Sequence, residues 1–109
     1  MLAAAMLMIG ATVASADWKT VAEITAGAKP EARELALNRT IRTVQFEGLE
    51  GTVIVTTLWV REGAAKTEYT VSRAIPKGEK WNVDLGQDRA ATGFRVSDQG
   101  PGRYKIHAK

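Results

Sequence analysis

The chain has 109 residues, with 15 Lys and Arg against 12 Asp and Glu, and no cysteine. That length fits one domain, and the formal charge of +3 favours contact with anionic surfaces without demanding it. The missing cysteine excludes disulfide staples, a thiol nucleophile, a lipidated cysteine and every Cys-ligated metal centre.

Met1 to Ala16 carries no charged side chain, and Asp17, Trp18 and Lys19 end the run. It is shorter than the roughly 20 apolar residues that a membrane-spanning helix needs. Ala14-Ser15-Ala16 supplies the small residues that a signal peptidase requires. The expectation is a cleaved signal peptide over residues 1–16 and a mature domain over 17–109, periplasmic or secreted. No Lys or Arg opens the run, which leaves a weak n-region or an upstream start as the two readings. No transmembrane segment is expected in the mature chain.

From there the hydrophobic period is 2 almost throughout. Thr20 to Thr25 reads as a first strand. Glu34 to Leu37 reads as a second, although Pro30 at a first-turn position makes a short helix over 28–37 the alternative. Thr40 to Glu47 is a third, and Gly48 and Gly51 punctuate the turn after it. Thr52 to Val60 is the longest and most β-branched. Both of its faces are largely apolar, Ile54, Leu58 and Val60 on one and Val53, Val55, Thr57 and Trp59 on the other, so it is expected to be central and covered on both sides for part of its length. Thr67 to Arg73 presents Tyr69 and Val71. Trp81, Val83 and Leu85 alternate in the next strand. Ala91 to Asp98 offers Phe94 and Val96, and Gln99 to Gly102 signals a turn. Arg103 to Lys109 closes the chain with Tyr104, Ile106 and Ala108 inward. The reading is all-β: an antiparallel β-sandwich of about eight short strands, preceded by the N-terminal signal helix.

The order of features also resembles a known group. Trp18 opens the mature chain, Thr40 to Phe46 forms a basic-apolar strand, and a Val-rich strand follows. Ile75 to Gly78, Trp81 to Gly86, Arg89 to Val96 and a final glycine turn complete the series. This resembles small secreted bacterial β-sandwich proteins of unknown function, over about residues 18–107. The resemblance implies fold and export, and it brings no catalytic residue.

Chemistry-bearing residues are sparse. His107 is the only histidine, and a lone imidazole without cysteine cannot complete the usual zinc set. Neither Ser72 nor Ser97 stands in a nucleophile-elbow motif. Asp84 and Asp88 flank Gly86, too few hard oxygens for calcium, and read as turn caps. No metal, no cofactor and no catalytic residue are expected; an acid-based hydrolase is the weakest alternative. Trp18, Trp59 and Trp81 are candidates for a sugar-stacking platform, against which the alternation around Trp59 and Trp81 predicts core. Asn38-Arg39-Thr40 matches a glycosylation acceptor, relevant only in a eukaryotic secretory route.

The main functional candidate is basic. From Arg89 onward five bases face a single acid, Asp98. If Ala91–Asp98 and Arg103–Lys109 pair as a hairpin, Arg95, Arg103, Lys105 and His107 form a positive stripe. That stripe would bind an anionic envelope polymer or a partner protein. Nucleic acid is not expected, because no aromatic residue is interleaved among these bases. The alternatives are a structural or accessory domain docking a partner at a sheet edge, and a solvated strand face that discourages aggregation.

Overall fold

The computed structural model describes residues 18–109. The expected signal peptide and its helix lie outside the described residues. Five strands follow one another: β1 (Lys19–Ala26), β2 (Glu31–Glu62), β3 (Ala65–Pro76), β4 (Lys80–Gln99) and β5 (Gly102–Ala108). Every ladder between them is antiparallel.

Two of these strands are long enough to serve in several places. The Glu31–Ala36 stretch of β2 pairs with Asp98–Gly93 of β4. Its middle, Val44–Gly51, pairs with β5, and its last stretch, Thr52–Glu62, pairs with β3. That last stretch also pairs with β4, from Ile54↔Gln99 to Arg61↔Gly93. Two rows of ribbons result. One runs β1, β5, the middle of β2, and the start of β4. The other runs β3, the end of β2, the end of β4, and the start of β2.

The eight segments read from the sequence fall within strands, except that the last runs one residue past Ala108, but they join into five continuous strands rather than eight short ones. The joins are bends, because neighbouring ladders bridge them. At Gly48–Gly51, β5 stays paired across the bend through Tyr104, Arg103 and Gly102. Gly51 sits there at φ 62°, in the left-handed region. A Cβ on Gly48 would lie 2.1 Å from the Pro76 carbonyl oxygen, so only glycine permits that approach. Residues 31–37 are strand, not helix, because the backbone of 31–36 is committed to β4.

Bulges decide which side chains face inward. Arg42 and Thr43 both donate their N–H to the Lys109 carbonyl, at 2.7 and 2.8 Å. Two residues thus occupy one ladder position, and Ile41 and Val44 both turn inward despite their odd spacing. The longest segment behaves alike. Its register to β4 shifts between Val55 and Thr57, so Val53 and Val55 are buried before the shift and Leu58 and Val60 after it. The strand is therefore not covered on both sides, as its composition suggested. One face is covered throughout, and the parity of that face changes at Thr56. Ile54 and Trp59 are left on the other.

Buried side chains of both rows form one core: Phe46, Tyr104 and Ile106 from the first meet Val55, Leu58, Phe94 and Val96 from the second. The Phe46 and Tyr104 rings lie 6.2 Å apart. Trp81 only flanks this core, half-buried, with the Arg73 guanidinium stacked 3.9 Å from its ring centre.

The expected terminal hairpin is absent. Gly93–Asp98 has β2 on both of its edges, which leaves no free edge for β5. Past Gln99 the chain crosses to the other row, where β5 enters between β1 and the middle of β2.

Candidate functional site

Loss of the hairpin separates the expected basic residues. Arg95 lies on the outward face of the second row. Arg103, Lys105 and His107 lie on the outward face of the first, across the core.

Around β5 each base is flanked by acids from neighbouring strands. Arg103 contacts Glu23 on β1 and Glu50 on β2. Lys105 stands between Glu23 and Glu47 in the cross-strand register. His107 Nε2 lies 2.8 Å from Glu47 Oε1. A carboxylate can only accept, so Nε2 carries the hydrogen toward Glu47, while Nδ1 and the Thr20 hydroxyl lie within hydrogen-bond distance at 3.0 Å. These contacts shift acidities in the expected directions. Hydrogen bonding to His107 holds Glu47 below the usual carboxylate range, Arg103 does the same for Glu50, and Glu50 and Glu23 together raise Arg103. The surface alternates in sign; it is not a positive stripe.

The Arg95 face is built differently. One cross-strand row reads Glu34, Arg95, Trp59, Glu68, and the next reads Ala36, Gly93, Arg61, Lys66. Trp59 is therefore the direct neighbour of Arg95, and an aromatic residue is interleaved with the bases after all. The parity change at Thr56 put it there, and the expectation of a core tryptophan is corrected. Lys66 Nζ sits 5.0 Å from the Trp59 ring centre. Glu34 accepts from Arg61 at 2.9 and 3.1 Å and from Arg95 at 2.8 Å. The two guanidiniums, Arg61 first, hold its carboxyl below the ordinary range. Alanine and glycine stand beside them, and Trp59 is half-buried with Arg95, Arg61 and Lys66 around it.

A third cluster is buried. Asp98, 1% exposed, accepts from Arg33 Nε at 2.7 Å, Arg33 Nη2 at 3.2 Å and the Tyr104 hydroxyl at 2.5 Å. Burial, and then the hydrogen bond to Asp98, push the Tyr104 hydroxyl far above its ordinary value, so it stays a donor. Asp98 raises Arg33 in turn. This group ties the start of β2 and the end of β4 to β5. Its signal was in the sequence: Asp98 follows Phe94 and Val96 at the same alternation, on the core side, where a carboxylate requires partners.

Asp84 Oδ1 accepts from the Gly86 N–H at 2.8 Å, and Asp88 reaches Arg42 at 3.7 Å. Among the described residues no three metal-ligating side chains converge, and no helix is long and apolar enough to cross a membrane. No protein-family model matches the chain, and neither does any curated protein or solved structure.

Proposed function

We propose that this chain is an exported, non-enzymatic β-sandwich that binds an anionic envelope polymer through the Trp59 face. The observation that carries the reading is the in-register placement of Trp59 beside Arg95, with Lys66 over the ring. The open part of a half-buried indole offers an apolar surface for the C–H face of a sugar ring. A guanidinium offers two parallel donors to a carboxylate or phosphate. Both are needed at once to hold an acidic polysaccharide. Arg61 and Arg95 are already engaged by Glu34, so a ligand carboxylate would exchange with an exposed one. Exposed ion pairs are weak, and the exchange costs little. Moderate, salt-sensitive affinity follows. The β5 face is the poorer candidate, since three acids, Glu23, Glu47 and Glu50, stand among its bases and no aromatic ring does.

Docking of a partner strand on β3 is less favoured. Ser72 at φ 45° belongs to an irregularity opposite Val55–Thr57, and such a kink disturbs the edge that a strand would extend.

The test is retention on an immobilised anionic polysaccharide over a salt gradient. Arg95→Glu and Arg103→Glu change the net charge equally, so any difference between them reports position. Trp59→Ala and Arg95→Glu are expected to elute at clearly lower salt than wild type, and Arg103→Glu close to it. Co-elution of Trp59→Ala with wild type would overturn the assignment of this face.

A further inference from the structure

Along the first stretch of β2, Arg33, Leu35, Leu37 and Arg39 alternate onto a half-buried face between exposed neighbours. The two arginines bracket the leucines, but only one has a counter-ion. Arg33 meets the buried Asp98. Among the described residues no carboxylate lies within ion-pair distance of Arg39, whereas every other arginine there has one.

Arg39 borders an opening in the fold. Among the described residues β1 ladders only to β5, and the Glu31–Ile41 stretch of β2 only to β4. Their remaining edges face each other. At one end Arg33 Nη2 ties them by donating to the Thr25 carbonyl at 3.2 Å. Toward the other end a cavity of about 340 Å³ lies between them. Val21 and Leu37 line it from the apolar side and pack against the core. Lys19, Thr20, Asn38 and Arg39 supply its polar lining. The register slip between Ala36 and Arg39 leaves Leu37 and Asn38 without β4 partners, so the stretch that borders the cavity is bulged.

We infer that this cavity binds a small amphiphilic anion: an anionic head held by Arg39 and Lys19, and a short apolar tail laid on Leu37 and Val21. A carboxylate there would do for Arg39 what Asp98 does for Arg33. The space is ample for a ligand of about ten non-hydrogen atoms. The volume is within the range of ordinary ligand pockets. A carboxylate and a phosphate head share the chemistry that two cations recognise. The site is separate from the Trp59 face, and either can fail without the other.

Octanoate, octyl phosphate and octanol are the probes, titrated into the purified protein and followed by backbone amide NMR shifts. Saturable shifts centred on residues 19–21 and 36–39 are expected with at least one of the two anions, and the stronger one identifies the head group. Octanol is expected to bind at least tenfold more weakly. Arg39→Gln is expected to weaken the preferred anion at least tenfold and Arg39→Lys less, with the spectrum elsewhere unchanged. Lys19→Gln provides a second variant, expected to weaken it several-fold, should Arg39→Gln disturb the fold. Absence of saturable shifts with both anions overturns the site. So does octanol binding equal to theirs, or an affinity unmoved by the substitutions.

Discussion

The two outward faces carry similar numbers of bases and do different things with them. On the β5 face Arg103, Lys105 and His107 alternate with Glu23, Glu47 and Glu50, and no aromatic ring stands among them. On the other face Arg61, Arg95 and Lys66 surround Trp59, and Glu34 alone is clasped by two of them. The contrast lies in cross-strand neighbours, which are distant in the chain. A run of bases along one strand says little about surface potential until the flanking strands are known. One face interleaves its bases with an equal number of acids; the other sets its bases around an aromatic ring, with two of them sharing one acid.

The hardest way to break this arrangement is to unlock the joint that both faces depend on. Asp98→Ala takes from Arg33 its buried partner, leaving it the exposed Glu31 and the Thr25 carbonyl, and leaves the buried Tyr104 hydroxyl unanswered. Removing one member of a buried pair typically costs about 3–5 kcal/mol, and that loss is expected in urea unfolding of this variant. Tyr104→Phe removes a single donor and is expected to cost about 1–3 kcal/mol. Next comes a test of parity at adjacent positions. Leu58 is fully buried and Trp59 is not. Leu58→Ala is expected to cost about 2–5 kcal/mol, as core truncations do. Trp59→Ala, despite losing the larger side chain, is expected to cost about 1 kcal/mol or less, in line with an outward position free of a core-packing role. A stability loss at Trp59 matching that at Leu58 would return this tryptophan to the core and remove the distinction between the faces.

Fold class was legible because period-2 alternation reports a sheet whatever its partners are. Phe94, Val96, Tyr104 and Ile106 face inward as their spacing required. What was not legible came from two physical sources. Bulges insert one residue and change parity without any local marker, so Thr52–Val60 reads as apolar on both faces although only one is buried. Long antiparallel strands bend instead of breaking where a neighbouring ladder bridges the bend. Glycines at 48 and 51 thus signalled a turn at a place where β2 runs on. The basic stripe failed for a related reason. Glu23 and Glu50 lie 80 and 53 residues from Arg103, and register, not composition, brings them together. Asp98 was the readable exception: its place in the inward alternation implied a buried carboxylate.

The smallest expected effect concerns acid, and it sharpens the comparison from the carboxylate side. Glu47 and Glu50 on the β5 face, and Glu34 on the Trp59 face, are held below the ordinary glutamate value of 4.5 by hydrogen bonds from His107, from Arg103, and from Arg61 and Arg95 respectively. A carboxyl with a lower value in the folded state binds fewer protons there than in the unfolded chain, so its contribution is whole above that ordinary value. It disappears as pH falls through the folded value. Two such groups lie on the β5 face and one on the other. The difference in urea midpoint between pH 7 and pH 3 is therefore expected to shrink more in the Glu47→Gln, Glu50→Gln double variant than in Glu34→Gln. Both changes are expected to be slight, because these groups are solvated, and to fade in 1 M salt, where screening acts within about 3 Å. An acid limb indifferent to all three substitutions would mean that the pairs on both faces are geometric only, leaving the Trp59 ring as the one feature that sets the faces apart.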